Sequence, residues 1–400
     1  MISIAVLGYG TVGSGVVEVI ETNKEDIARR VGEEIEVKYI LDLRDFPGDP
    51  YENKVVHDIE VIFADPDVKI ICETMGGMEP AYSFTKRALT SGISVCTSNK
   101  EVVAAHGPEL IKLGADHKCN YLFEASVGGG IPIIRPLNSS LTAEHIESIE
   151  GILNGTTNYI LTHMDEDGAD FDDMLKDAQA KGYAEKNPEA DIEGYDACRK
   201  IAILSSLMCG KFVKYENIYT EGISAITAKD FKYAHAIGCS IKLLAVSKET
   251  DDGYFAMVAP FMIGREHPLH MVRGVYNAVF VHGNTLGDSM YYGAGAGKLP
   301  TASAVVGDVV DAAKHLGKTV VCLWSEEEAR LTGIEKYRCK YFVRVKAEDT
   351  AKAKEAFKIS EIIDPGFNEE FAFITDVIDN KEYEEAAAKT GSVITRIRMA

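Results

Sequence analysis

What this sequence does without narrows its function before any motif is read. It carries 42 Lys and Arg against 62 Asp and Glu, a formal charge of −20, so nucleic acid and anionic membrane surfaces are repelled, and no local basic patch offsets this. No apolar run is long enough to span a bilayer. Met1 to Gly8 is apolar but has no basic flank and runs directly into a glycine loop, so it reads as a strand rather than an export signal. The eight cysteines include no Cys-x-x-Cys pair, which disfavours a zinc cage. Several, such as Cys72 in an apolar run, read as reduced, buried thiols, and a cytoplasmic location is expected. There is no internal repeat and no low-complexity segment.

What is present is globular. A chain of 400 residues that is 46% hydrophobic and 26% charged is too long for one core, and two or three domains are expected. From Ser3 to Gly130, short β-branched runs (3–7, 36–41, 69–73, 93–97 and 121–123) alternate with helix-spaced stretches at 11–21, 80–91 and 108–117. That alternation writes a parallel, doubly wound sheet. Pro80 and Pro108 are expected to open their helices, where a missing N–H costs nothing.

After Pro136 the texture turns to alternating strands (145–153, 241–247, 254–263, 274–282) with helices near 157–164, 172–180 and 191–208, an α+β pattern. A helix from Pro300 to His315 is expected to return to the first domain and complete it. From about Lys336 the order strand, helix, two strands, helix, strand predicts a small ferredoxin-like βαββαβ unit.

Three stretches spend residues in ways that point to chemistry. Gly8-Tyr-Gly10-Thr11-Val12-Gly13 follows a strand and opens a helix, the context of a dinucleotide fingerprint, with Gly8 for the tight turn, Gly10 for pyrophosphate approach and Gly13 for close helix packing. Asp42 is the candidate acid for the adenosine ribose, although it comes late, so that a long first helix or an insertion at the highly charged Lys24 to Glu34 is expected. An ordinary strand-ending turn accounts for Asp42 as well. Thr97-Ser98-Asn99-Lys100 ends a strand where open α/β sheets bind ligands. Lys181 to Pro188, then Asp191, Asp196 and Lys200, run from a loop into a helix; on spacing alone, Asp196/Lys200 is equally a surface ion pair.

Six motifs in order resemble the homoserine dehydrogenase family over roughly residues 1 to 320: Cys72 to Ala81 with Thr74, Thr97 to Lys100, Phe123 to Pro132, Gly151 to Asn158, Gly182 to Lys200 and Gly293 to Ala304. The resemblance implies a Rossmann-type doubly wound dinucleotide domain (1–136 plus 298–320), an α+β catalytic and dimerisation domain (137–297) and a small ACT-like domain (336–400). It implies hydride transfer between NAD or NADP and L-homoserine / L-aspartate 4-semialdehyde, in the route to threonine, methionine and isoleucine. Lys200 is then the acid/base lysine and Lys100 a second active-site lysine. Glu185 and Asp196, with Asp191 and Gly182, hold the amino acid. Gly8, Gly10, Thr11, Val12, Gly13, Asp42, Thr74, Thr97, Ser98, Lys100 and Gly297 serve the cofactor. Glu124, with the carbonyls of Val127, Gly129 and Ile131, matches the family's sodium site, oxygen donors suiting a hard cation. A homodimer or higher homo-oligomer is expected.

The chain also departs from the family. Members preferring NADP often carry arginine just before the acid that ends the second strand; here Leu41 stands there, and the expectation leans to NAD, with Arg44 as the cation that could substitute. The ACT-like unit lacks a glycine between Ala347 and Lys352, so effector binding is not expected. No kinase-like portion precedes Met1, and a monofunctional enzyme is expected whose chemistry does not need the C-terminal unit. The competing readings are a different amino-acid dehydrogenase on the same plan and a sensor that binds dinucleotide without turnover.

Overall fold

Parallel strands need long crossovers, and the first 120 residues supply them. In the computed structural model, which describes residues 1–400, β1 (Ile2–Leu7), β2 (Ile35–Leu41), β3 (Val55–Val56), β4 (Val68–Glu73), β5 (Ser94–Thr97) and β6 (Tyr121–Leu122) form one sheet in the order β3-β2-β1-β4-β5-β6. All five neighbouring pairs are parallel. β1 is buried along its whole length, as an apolar strand covered on both faces must be. The crossovers are α1 (Thr11–Thr22), α2 (Lys24–Val31), α3 (Ile59–Phe63), α4 (Ala81–Thr90) and α5 (Lys100–Asp116).

Two expectations are corrected here. The charged stretch after α1 is a separate helix, α2, ended by Gly32 at φ 88°, and this accounts for the late arrival of Asp42. Pro108 does not open its helix. α5 starts eight residues earlier because the Asn99 side chain accepts from the Val102 N–H at 3.3 Å, and Pro108 lies inside it; the cap outweighs the proline as a boundary signal.

The chain divides into two units. The first comprises Met1–His145, Ala202–Lys214 and Tyr291–Ala329, and the second Ile146–Ile201, Tyr215–Met290 and Arg330–Ala400. In chain order after β6 come β7 (Ile146–Ile152), α6 (Gly155–Asp167), α7 (Phe171–Ala180), α8 (Glu189–Ile192), α9 (Tyr195–Cys209), β8 (Tyr219–Thr220), α10 (Ala228–Ala236), β9 (Cys239–Thr250), β10 (Gly253–Gly264), β11 (Tyr276–Gly283), β12 (Gly287–Ala294) and α11 (Lys298–Lys314). α11 packs on α1 in the first unit, in a core shared by Val16, Ile20, Ala302, Val305 and Val309. Gly15 permits the approach, since a methyl there would lie 2.8 Å from the Lys298 carbonyl oxygen. The helix begins at Lys298 rather than Pro300, with Gly297 as its N-cap residue.

The helix expected over 191–208 is two. Gly194, at φ 81°, separates α8 from α9, and a side chain there would press on Thr220 and Val258 at 3.1 and 3.2 Å. The C-terminal segment runs β13 (Arg338–Lys346), α12 (Thr350–Ala356), β14 (Ile359–Ile363), β15 (Glu370–Thr375), β16 (Ile378–Asp379), α13 (Asn380–Thr390) and β17 (Val393–Met399). It does not stand apart. β17 pairs with β10, Phe261 opposite Arg398, so that β12-β11-β7-β9-β10-β17-β13-β15-β14 is one continuous sheet.

Buried ion pairs reinforce that seam. Arg344, 4% exposed in its side chain, meets Asp230, 0% exposed, and its Nε donates to Glu370 at 2.9 Å. Arg398 and Arg396 converge on Glu221 at 2.7 and 2.9 Å. Removing one member of a buried pair strands the other charge, at a cost of about 3–5 kcal/mol. Arg344→Met should therefore lower stability by that amount in urea melts. Adding Asp230→Asn should recover most of it; a single variant as stable as the parent would show the pair to be idle.

Candidate active site

The first unit gathers its small and polar residues along the edge where its parallel strands end. At the turn from β1, Gly8 takes φ 89° and its N–H donates to the Leu41 carbonyl at 2.8 Å. A methyl on Gly13 would sit 1.9 Å from the Gly8 oxygen, so only glycine fits. At Gly10, by contrast, a methyl would meet no protein atom within 4 Å. Thr11 and Val12 open α1, whose N-terminus has neither a side-chain cap nor an acid in its first turn. Its leading N–H groups are thus disposed for an anion. A phosphate fits that geometry: open space at the one glycine, close packing at the other.

Thr74, expected at the cofactor, turns inward. Its hydroxyl donates to the carbonyls of Leu7 and Gly8 at 3.0 and 2.9 Å, pinning the glycine turn. Asp42, at the end of β2, accepts from the Tyr9 N–H at 2.8 Å and from Nε and Nη2 of Arg44, each at 2.9 Å. The fork of Arg44 first, then these backbone bonds, hold its carboxyl well below the usual range against the effect of burial. Arg44 itself is 62% exposed in its side chain. A cavity of about 510 Å³ opens beside them, lined by Gly8, Leu41, Asp42, Arg44, Met75 and Phe84 among others, of a size and apolarity that suit a nucleoside.

Further along the same edge, Thr97 ends β5, Ser98 donates its N–H to the Glu73 carbonyl at 3.3 Å, and Lys100, half-buried, is the first residue of α5. Gly297, at φ 126°, caps α11, and the loop before it lies backbone to backbone on another glycine run. There the Gly130 N–H donates to the Ala294 carbonyl at 3.0 Å, and a methyl on Gly129 would fall 2.4 Å from the Gly295 oxygen.

The residues expected at a cation site lie on the loop after β6. Both Glu124 carboxylate oxygens are engaged, Oε1 accepting from the N–H groups of Ile133 and Ile134 at 2.5 and 2.9 Å and Oε2 from Arg135 at 2.7 Å. The side chain caps the start of the following turn. The donors that fit a hard cation are backbone carbonyls of Val127, Gly129 and Ile131, on a loop that Gly128 and Gly129 carry through φ 72° and 54°. No cluster of three or more His, Cys, Asp or Glu is arranged for a metal. Behind Glu124, Asp308 accepts from its N–H at 2.8 Å and from Arg135 at 2.6 Å. Burial first, then the Glu124 charge, push the Asp308 carboxyl up to about 8.

The second unit builds a polar cluster around one asparagine. Asn154 caps α6, its Oδ1 accepting from the Thr157 N–H at 2.8 Å, while its Nδ2 donates to Asp191 at 2.7 Å and Asp196 at 2.8 Å. Lys200 Nζ donates to Asp196 Oδ2 at 2.6 Å and to the Leu153 carbonyl at 2.7 Å. Asp196 and Lys200 are 8% and 11% exposed in their side chains, so this is no surface ion pair. Asn154 is the member whose role sequence reasoning left unassigned; a strand-end Asn three residues before a Thr was the available signal. Glu185 is an exposed loop residue, with its carbonyl accepting from the Gln179 side chain at 3.1 Å. Gly182, at φ 76°, closes α7: its N–H donates to the Gln179 carbonyl and that of Tyr183 to the Ala178 carbonyl, a helix-terminating motif.

A parallel sheet whose order reverses at β1, a glycine turn open at Gly10 and a nucleoside-sized cavity at Asp42 define a dinucleotide-dependent oxidoreductase. Comparison with known proteins places it more finely. The family model for the homoserine dehydrogenase NAD-binding domain matches residues 8–124, and that for homoserine dehydrogenase matches 132–310. The chain is 46% identical over 320 residues to the homoserine dehydrogenase of Synechocystis sp., covering 78% of this chain and 73% of that one. It is 39% identical over 357 residues to that of Pseudomonas aeruginosa, covering 87% and 82%. The crystal structure of a homoserine dehydrogenase from Thiobacillus denitrificans superposes with a TM-score of 0.91 at 35% identity, over 100% of this chain and 98% of that one. A hyperthermophilic archaeal homoserine dehydrogenase in complex with NADPH superposes with a TM-score of 0.67 at 29% identity, over 78% and 97%. The chain belongs to the homoserine dehydrogenase family. No helix in it is long and apolar enough to cross a membrane.

The two glycines separate packing from ligand approach. Gly10→Ala should keep the parent's unfolding midpoint while weakening reduced-nucleotide binding about tenfold, roughly 1.4 kcal/mol, in a fluorescence titration. Gly13→Ala should lose both. Unchanged affinity in Gly10→Ala would move the pyrophosphate away from this turn.

Proposed function

We propose that this chain interconverts L-homoserine and L-aspartate 4-semialdehyde by hydride transfer with a nicotinamide dinucleotide, and that the cluster of Asn154, Asp191, Asp196 and Lys200 serves the amino acid. The observation that carries this is the buried contact of Lys200 with Asp196 beside the Leu153 carbonyl. In semialdehyde reduction the arriving hydride leaves an alkoxide. A held ammonium stabilises it and hands over a proton. Two carboxylates against one lysine leave net negative charge, which favours the substrate's ammonium, with Glu185 as a further counter-charge. Lys100 belongs to the nucleotide unit and is assigned to polarising the reacting oxygen and keeping substrate and nicotinamide in register. The bound nicotinamide supplies the hydride. A monovalent cation, in this reading sodium, is held by carbonyl oxygens of Val127, Gly129 and Ile131, with Glu124 stiffening the loop. The βαββαβ segment is read as an ACT-like unit without an effector, and the protein as a cytoplasmic homodimer, in keeping with its eight unpaired cysteines and the exposed Leu286 and Met290.

The direct test follows absorbance at roughly 340 nm, where reduced nicotinamide absorbs, with homoserine and each nucleotide. Lys200→Ala should lower kcat by about 10²- to 10⁴-fold, the usual worth of positioned acid–base assistance, with nucleotide affinity nearly unchanged. Glu185→Gln should raise the homoserine KM. Near-normal kcat in the first together with an unmoved KM in the second would defeat the assignment.

The cofactor reading is NAD at least as good as NADP. Asp42 carries the charge that disfavours a 2′-phosphate, and Arg44, already forked on Asp42, only cancels it. Arg44→Ala should raise the KM for NADP about tenfold or more and leave that for NAD within a small factor. A parent enzyme preferring NADP by more than that margin would make Arg44 the phosphate reader instead.

A further inference from the structure

Glu73 is the last residue of β4 and is 0% exposed, at the middle of the sheet. Its carboxylate spans two crevice loops. Oε1 accepts from the Met75 N–H at 2.9 Å, in the loop that follows β4, and Oε2 accepts from the Thr97 hydroxyl at 2.6 Å, at the end of β5. The Thr97 oxygen in turn accepts from the Asn99 N–H at 2.9 Å. Asn99 then closes the circuit, its Nδ2 donating to the Gly77 carbonyl at 2.7 Å and its Oδ1 capping α5 at Val102. Lys100 is the next residue, the first of that helix.

We infer that Glu73 is a positioning residue for the reaction, fixing the head of α5, and with it Lys100, through the relay Thr97–Asn99. The inference rests on the reading of Lys100 given above. A buried acid costs stability unless something returns the energy, and here its two oxygens are spent on the two loops that carry the crevice. Threonine is used as a relay because its hydroxyl donates in one direction and accepts in the other.

The same geometry makes the relay sensitive to protonation. Burial, opposed by the bonds from Thr97, Met75 and Asn99, pushes the Glu73 carboxyl up to about 7. Tyr121, raised by burial and then by the Glu73 charge, is neutral in this range. Both oxygens already accept, so a proton added to either displaces a donor. The relay is intact above this range and loosens as pH falls through it. The stability linkage runs the other way: a carboxyl raised in the folded state contributes most below its unfolded range and loses that contribution as pH rises to about 7.

Glu73→Gln places an amide where one donor must be displaced at every pH. We expect kcat about tenfold lower with nucleotide KM within about twofold, and a kcat profile that lacks the acid limb near pH 7 expected of the parent. Thr97→Val should do the same and Thr97→Ser should restore the parent, which keeps the question open to measurement if the Gln variant folds poorly. The decisive comparison is with Lys100→Ala: if Glu73 acts through Lys100, Glu73→Gln adds little in that background. Full additivity, or a Gln variant with the parent's kcat and acid limb, would overturn the role of Glu73. Parent-like turnover in Lys100→Ala alone would instead remove Lys100 from the chemistry, and the inference with it.

Discussion

Everything in the first unit follows from one constraint on parallel strands. Because they cannot be joined by tight turns, each must end on the same edge before a helix carries the chain back. At β1 the order reverses, with β2 on one side and β4 on the other, so the helices following neighbouring strands leave to opposite faces and a crevice opens between their loops. Gly8, Asp42, Thr74 and Thr97 come from four different strands yet meet along this edge because each is the residue at or just beyond a strand end. The chemistry is placed by topology first and by side-chain bonds second.

The second unit works by a different rule, that a buried polar group must find its full complement of partners. Asn154 shows it most plainly. One amide group ends the loop after β7, starts α6 and joins two carboxylates. With Lys200 bridging Asp196 to the chain beside Asn154, the cluster is held by its own bonds.

Much of this could be read from residues alone, and what could not has a common cause. The glycine turn was legible because its spacing encodes a backbone need that no other residue meets, as Gly13 against the Gly8 oxygen demonstrates. The doubly wound sheet was legible from its alternation of β-branched runs and helical periods. α5 was misplaced because Pro108 is a louder local signal than a buried Asn cap, and the break at Gly194 was missed because its crowding comes from Thr220 and Val258, distant in sequence. Glu73 gave no sign: an acid ending an apolar strand looks like a turn residue until its neighbours on β5 are known. The amides that engage the Glu124 carboxylate could not be read beforehand, because they are set by the turn after Ile131.

The seam between β10 and β17 has a kinetic meaning. Phe261 must find Arg398 across a long intervening stretch of chain, and closing so long a loop costs entropy before any contact rewards it. Until that closure, the end of β10 beyond its pairing with β8 is an open edge, and Glu221 and Asp230 lack their arginines. The joined sheet therefore rests on a pairing of high loop-closure cost, which the ion pairs around Glu221 and Asp230 help to offset.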